Sequence, residues 1–285
     1  MLMQLLTLAA LALAGDAMPV TLKSRFMSRV GREEWVVNQT VVQWKPEETA
    51  IIVVDMWNVH WCHSATTRVG EIATPMNHTL AAARQLGVHI VFAPSDVTAF
   101  YKTEPARLRT LALPKVKKPT NANQTALTSK VFPLSSATDG GCDAPAPEGS
   151  PWRRQISTLT IDHENDYLIA ADLPSNPNAG EYELANVVAK LGLKNLIYMG
   201  VHENMCIMER PFAIERVRSW RGADGAVLFP RENIAVMREL VDVMYTPKDP
   251  PYVSHAEGLA IHTAYIEKFW GTCCSCCCSC CYCSC

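Results

Sequence analysis

Short apolar runs alternate with longer helix-compatible segments along most of this chain of 285 residues. The runs short enough for strands are Thr49–Val54, Val88–Ala93, Gln155–Ile161, Leu196–Met199 and Ala226–Phe229. The segments that predict helices are Thr74–Leu86, Tyr101–Leu113, Glu181–Leu191, Asn233–Met244 and His255–Trp270. This alternation is typical of βαβ units, so the sequence predicts an α/β domain built on a largely parallel sheet.

Two of the predicted strands lead to side chains suited to catalysis. Asp55 directly follows the first run, and Leu196–Met199 leads through Gly200 to Cys206. Ligands bind at the carboxyl ends of parallel strands, so we expect both side chains at one ligand-binding edge. Asn204 is the expected N-cap of the next helix, whose first turn would favour a Cys206 thiolate. The alternatives are a small buried cysteine and an aspartate that only caps a turn.

The segment after Asp55 is rich in aromatic and imidazole groups. Trp57, His60 and Trp61 are expected to wall a substrate pocket, although His60 and His63 could instead bind a metal. Gly200 stands alone where a dinucleotide-binding loop needs three glycines. We therefore predict no cofactor and no metal site. A net charge of −2 gives no case for a nucleic-acid partner.

The run ending Val53-Val54-Asp55 and the turn Gly200-Val201-His202 before Cys206 resemble the isochorismatase-like cysteine hydrolases. That family includes nicotinamidases and N-carbamoylsarcosine-type amidases, and the resemblance spans about residues 49–269. It implies a three-layer Rossmann-like sandwich with a six-stranded, mostly parallel sheet. It also implies an Asp–Lys–Cys triad containing Asp55 and Cys206. A cis bond at Val201–His202 and an oxyanion hole of the His202 and Cys206 N–H groups complete the family pattern.

The lysine of that triad has no counterpart at the expected place. It should follow the third strand, where the chain reads Ile161-Asp162-His163-Glu164-Asn165-Asp166. The site needs a cation there to lower the thiol pKa and stabilise the developing oxyanion. His163 is the predicted substitute, and Asp162 is the next candidate. Other cations that could reach the site from an insertion are Lys130, Arg153 and Arg154. Nicotinamidases also carry an Asp-x-His metal element, whereas Asp96 here is followed by Val97 and Thr98.

The two ends of the chain differ in composition from its centre. Leu2–Ala14 is almost wholly apolar, which predicts a signal peptide over residues 1–17 and a secreted protein. N-x-T sequons at Asn38, Asn77 and Asn123 fit that route. Nine of the twelve cysteines lie between Cys273 and Cys285. This predicts a disordered tail over residues 271–285 that binds soft metals, is acylated or cross-linked, or reflects simple-repeat DNA.

Three further boundaries follow from composition. Residues 18–48 are expected to form a ribbon that covers the main domain. The hydrolase domain is expected over residues 49–270, with a Pro-, Thr- and Gly-rich insertion at about residues 114–152. Cys142 in that insertion could pair with Cys62, but sequence cannot establish that the two are close.

These observations predict a cysteine hydrolase that forms a thioester with a small amide or related acyl substrate. Its expected partner is a small-molecule substrate. No membrane-spanning segment is predicted, and the sequence leaves open whether the protein forms a homo-oligomer. One alternative is a catalytically inactive ligand-binding protein that lacks the family lysine. Another is a metal-binding or interaction protein that acts through the cysteine-rich tail.

Overall fold

The computed structural model describes residues 17–28, 34–121, 132–144, 158–171, 173 and 175–274. Its strands are β1 (Met18–Ser28), β2 (Glu34–Trp44), β3 (Thr49–Val54), β4 (His89–Ala93), β5 (Thr120–Asn121), β6 (Tyr167–Leu168), β7 (Asn195–Val201), β8 (Trp220–Arg221), β9 (Ile234–Asp242) and β10 (Gly271–Cys273). Its α-helices are α1 (His63–Leu86), α2 (Pro105–Leu111), α3 (Ala179–Leu191), α4 (Cys206–Glu209), α5 (Ile214–Arg218) and α6 (His255–Phe269).

Eight of these strands form one sheet in the order β2-β1-β10-β9-β7-β3-β4-β6. The six strands from β10 to β6 run parallel to one another, whereas β1 and β2 are antiparallel additions. β3 and β7 are neighbours near the centre, with Val54 level with Gly200. The α/β class and the largely parallel sheet are as the sequence predicted, and the two added strands bring the sheet to eight.

The central strands are buried on both faces, which makes the molecule a three-layer sandwich. In β3, Ile52 packs in the core beneath α3 and α6, and Ile51 packs in the core beneath α1. β7 repeats this alternation with Tyr198 on the first face and Met199 on the second. Runs without polar interruption are therefore required here, because both faces exclude water.

The N-terminal ribbon extends the sheet and does not cover the domain. β1 pairs along its whole length with β2, and Lys23 of β1 lies opposite Thr272 of β10. β10 in turn pairs with β9, so residues 271–273 belong to the sheet and are buried. This corrects the expectation that a tail begins at residue 271. The rest of that tail, residues 275–285, lies outside the described residues.

Two predicted elements have a different structure. Residues 158–161 of the expected third strand form no strand, and the strand on that side of β4 is the two-residue β6. The segment predicted as a helix over Asn233–Met244 is mostly strand β9, whose first four residues are all buried. Met, Arg, Glu and Leu favour helices in isolation, but pairing with β7 on one side and β10 on the other stabilises this segment as a strand. Val227 of the predicted fifth strand makes only an isolated bridge to Arg221.

Within the described ranges, no helix is both long and apolar enough to cross a membrane. Residues 1–16, which carry most of the expected signal peptide, lie outside those ranges.

Candidate active site

Asp55 leaves the carboxyl end of β3 in an unusual backbone conformation. Its φ is 59° and that of Met56 is 56°, in the left-handed region that residues other than glycine rarely adopt. The N–H of Ser95 donates to Oδ1 of Asp55 at 2.6 Å. The other oxygen, Oδ2, is buried and has no N–H or O–H donor in the described part of the chain. Such strained and incompletely paired residues cluster at functional sites.

Cys206 lies beyond the carboxyl end of β7, the strand next to β3. Glycine at position 200 allows the backbones of β7 and β3 to approach closely, because a Cβ there would lie 2.1 Å from the carbonyl oxygen of Val54. The peptide bond Val201–His202 is cis, as the family resemblance implied. Cys206 is then the first residue of α4 and is 7% exposed. The N-cap is Met205, not Asn204, whose side chain instead bonds the backbone of Met244.

The Asp55 carboxylate and the Cys206 thiol act on each other directly. Burial raises the pKa of Asp55 to about 6, although hydrogen bonds from the Cys206 thiol and the Ser95 N–H oppose this rise. Burial and then the Asp55 charge raise the pKa of Cys206 above its ordinary value. The resting site at neutral pH therefore holds a protonated thiol beside an ionised carboxylate. The expected helix-stabilised thiolate is wrong, because α4 has only four residues and burial dominates.

Two backbone donors stand beside this pair. The N–H groups of His202 and Cys206 are engaged by no backbone acceptor within the described ranges. Both residues are almost fully buried. The His202 ring is neutral near pH 7, since burial lowers its pKa to about 4. Backbone N–H groups that reach the same carbonyl oxygen can stabilise the negative charge that develops on it.

Buried contacts hold the turn that carries these donors. The N–H of Glu203 donates to the carbonyl of Asp242 at 2.7 Å. Oε2 of Glu203 lies 3.0 Å from Nδ1 of His262 on α6, and both side chains are fully buried. The turn is thereby attached to β9 and to α6, which fixes the position of Cys206.

A pocket of about 270 Å³ opens beside the thiol. Among the described residues, it is lined by Met205, Cys206, Glu209 and Arg210. The Arg210 side chain hydrogen-bonds to the Cys206 thiol, and its charge lowers the pKa of both Cys206 and Asp55. Among the described residues, the pocket lining therefore contains the thiol and a cation, and the thiol is hydrogen-bonded to the Asp55 carboxyl group.

None of the three predicted wall residues, Trp57, His60 and Trp61, is among the described residues that line this pocket, which corrects their predicted role. Trp57 donates its indole N–H to the carbonyl of Ser95 at 3.1 Å and stacks on His60 at a ring distance of 5.3 Å. His60 lies 5.3 Å from the His202 ring, so Trp57 and His60 are buried behind Asp55 and His202. Trp61 is 40% exposed.

A disulfide between Cys62 and Cys142 ties the insertion to this edge of the sheet. The N–H of Cys62 donates to Nδ1 of His60 at 3.0 Å, so the disulfide adjoins the aromatic segment. The N–H of His63 donates to the carbonyl of Ala144 at 2.7 Å. The pairing that the sequence left open is therefore present, and it anchors the loop at the start of α1.

His163 does not lie with Asp55 and Cys206, which corrects its predicted role. It precedes β6, so it stands at the amino end of a parallel strand, at the opposite edge of the sheet. Its side chain is 65% exposed, and Nδ1 lies 2.6 Å from Oε1 of Glu104. The Asp162 carboxylate lies in the same turn, where it accepts hydrogen bonds from the Glu164 N–H and from the Asn165 side-chain amide. Lys130, Arg153 and Arg154 lie outside the described residues.

Sequence reasoning missed Arg210, Ser95 and the two other pocket residues. A signal for Arg210 was present, because residues four apart share one face of a helix and Arg210 follows Cys206 by four. Ser95 follows β4 by two residues and could have been placed at the same edge as Asp55. Met205 and Glu209 carried no signal of their own.

No protein-family model matches the chain, and no curated protein matches it. Solved structures do match at low identity. An isochorismatase from Pseudomonas putida is 13% identical, with 81% of this chain and 90% of that chain covered at a TM-score of 0.44. An N-carbamoylsarcosine amidase from Thermoplasma acidophilum is 14% identical, with 72% and 88% covered at 0.35. A nicotinamidase from Staphylococcus aureus is 11% identical, with 78% and 94% covered at 0.37.

These similar structures fall in the family that the Asp55 and Cys206 motifs predicted.

Proposed function

We propose that this protein is a cysteine-dependent hydrolase of a small amide or related acyl compound. The observation that carries the proposal is the hydrogen bond between Asp55 and Cys206, which follow adjacent strands. The N–H groups of His202 and Cys206 have no backbone acceptor in the described part of the chain. A buried carboxylate next to a protonated thiol is a base paired with its nucleophile. The open pocket of about 270 Å³ suits a small substrate.

The first half of the reaction acylates the enzyme. Asp55 takes the proton from the Cys206 sulfur as the sulfur attacks the carbonyl carbon. The N–H groups of His202 and Cys206 hold the negative charge that develops on the carbonyl oxygen. Asp55 then gives the proton to the leaving nitrogen, the C–N bond breaks, and a thioester with Cys206 remains.

The second half returns the enzyme to its starting state. Asp55 takes a proton from water, whose oxygen adds to the thioester carbonyl over the same two N–H groups. The C–S bond breaks, the acid leaves, and the Cys206 sulfur recovers its proton from Asp55. The protonation pattern supports these roles, since Asp55 is ionised above about pH 6 while the thiol is still protonated.

The test is ammonia release by the full-length protein from a panel of small primary amides. Cys206→Ala should abolish release, and a thioester on the Cys206 peptide should be trapped by mass spectrometry after acid quenching. Cys273→Ala is the matched control, because Cys273 is also a buried cysteine but lies in β10, which is two strands away from β7 in the sheet. Equal turnover by Cys206→Ala and wild type would contradict the mechanism. Failure of the wild type on every amide would argue against the substrate class.

We also propose that the protein is secreted. The Cys62–Cys142 disulfide supports this, because such bonds persist mainly in oxidising compartments. Asn38 is exposed on β2 and available for a glycan, whereas the Asn77 sequon lies within α1 with its Thr79 buried. Expression in a eukaryotic cell should give medium-borne protein whose mass falls on glycosidase treatment. Retention of an unglycosylated chain inside the cell would refute secretion.

A further inference from the structure

In the described part of the chain, the end of β6, where the family lysine is expected, has no unpaired cation. β6 is followed by Ile169, Ala170 and Ala171, which are fully buried. A guanidinium beside β6 belongs to Arg107, which donates to the carbonyl of Leu168. Its charge is matched by Glu183, whose Oε1 lies 2.9 Å from NH2 of Arg107. Arg107 is thus engaged in holding α2 and β6 to α3.

Within the described ranges, the other positively charged groups near the site are engaged elsewhere. Arg68 pairs with Asp242 at 2.8 Å and with Asp143 at 3.4 Å. The His202 ring is neutral, and His163 stands at the opposite edge of the sheet. Among the described residues, the positive charge that acts on the Cys206 thiol is that of Arg210.

The local sequence fixes Arg210 next to the thiol. Its N–H donates to the carbonyl of Cys206 at 3.4 Å, which places it one helical turn after the nucleophile. Pro211 prevents the helix from continuing, and Arg210 accordingly has an extended backbone with φ −62° and ψ 159°. Its side chain is half-buried, lines the same pocket as Cys206 and hydrogen-bonds to the sulfur.

We infer that Arg210 is the catalytic cation of this site and takes the role that the resemblance assigns to a lysine. Its guanidinium holds the sulfur as a thiolate after Asp55 has taken the proton. The inference rests on the proposed function and adds one residue to it. Arginine suits a half-buried position, because it stays charged there and its several N–H groups can face the sulfur and the carboxylate together.

The test is the rate of Cys206 alkylation by iodoacetamide between pH 6 and 10, resolved by peptide mass spectrometry on the full chain. In this reaction the S–C bond forms, iodide leaves and the thiol proton goes to Asp55 or solvent. The same tryptic peptide is released from wild type and Arg210 variants, because trypsin does not cut before Pro211. Removing an adjacent cation raises a pKa by about 1–2 units, so Arg210→Met should slow alkylation about 10- to 100-fold at neutral pH.

Three comparisons make the outcome decisive. Arg210→Lys should restore part of the rate, because it keeps the charge but loses the planar fork. Arg218→Met is the matched control, since Arg218 is also half-buried but neither lines the pocket nor acts on the thiol. Thermal unfolding would verify that the variants are folded. If folded Arg210→Met and Arg218→Met react alike at every pH, Arg210 is not the cation. Amide turnover that depends on Cys206 would then still support the proposed function.

Discussion

Both edges of the parallel sheet carry polar side chains, but these side chains are paired differently at the two edges. At the amino edge, charges are matched. Arg84 holds both oxygens of Asp166 at 3.0 and 2.6 Å, and Lys194 pairs with Glu48 at 2.6 Å. At the carboxyl edge, Oδ2 of Asp55 lacks an N–H or O–H donor within the described ranges.

The difference distinguishes polar groups that are paired within the fold from polar groups that are left available to a ligand. Each of these charged groups at the amino edge already has a partner of opposite charge. The carboxyl edge instead has a buried carboxylate, a thiol and two backbone N–H groups that meet no backbone acceptor among the residues described. It also contains the two consecutive residues with positive φ, Asp55 and Met56. The following changes test that contrast, from the largest expected effect to the smallest.

Asp55→Asn should nearly abolish turnover while the fold survives. Asparagine keeps the acceptor for the Ser95 N–H but cannot take the thiol proton, so kcat/KM should fall by about 10²–10⁴-fold. Wild-type kcat/KM should rise with pH through an apparent pKa near the value of about 6 for Asp55. Steady-state kinetics from pH 5 to 8 measure both. A variant that retains the wild-type pH profile would show that Asp55 is not the base.

Asp166→Asn, at the amino edge, should lower the stability of the fold but leave the reactivity of Cys206 unchanged. The change leaves the Arg84 guanidinium without its carboxylate, and we expect a loss of about 1–3 kcal/mol in the free energy of unfolding. Urea denaturation measures that loss. Cys206 alkylation in the folded variant should match wild type. A large drop in alkylation would mean that the two edges are coupled.

Asp55→Asn should also stabilise the fold at alkaline pH. The folded-state pKa of Asp55 is about 6, against an ordinary value of 3.8. Asp55 therefore contributes its full share to the free energy of unfolding below pH 3.8, and this contribution is lost as the pH rises through 6. Asparagine carries no charge to bury. The variant should exceed wild type by on the order of 1–3 kcal/mol at pH 8, with the gain fading towards pH 4. Denaturation at pH 4.5, 6 and 8 measures this gain, and a less stable variant at pH 8 would oppose the assigned pKa.

His163→Ala should change almost nothing. Its ring is mostly exposed and pairs with Glu104 at the surface, where such pairs contribute about 0–1 kcal/mol. Neither the alkylation rate nor the pH profile of turnover should move. A selective loss of turnover in a stable His163→Ala protein would restore the histidine as a site residue.

Local patterns predicted the parts of the site that lie on the central strands. Thr49–Val54 and Leu196–Met199 are apolar throughout because both faces of β3 and β7 are covered, and this leaves a recognisable run. The polar residues that follow were therefore placed correctly at one edge. His163 was misplaced because the third strand was assigned to Gln155–Ile161, before the turn, when β6 begins after it at Tyr167.

The sequence by itself determined the α/β class, the edge that carries Asp55 and Cys206, and the turn that brings the nucleophile out of the sheet. These depend on contiguous residues, whose burial and turn preferences are local properties. Tertiary structure decided which short segments became β6, β9 and β10, since each is stabilised by pairing with strands distant in sequence. It also decided that Arg210 is the cation at the thiol. That assignment required knowing which other positive charges already have a partner.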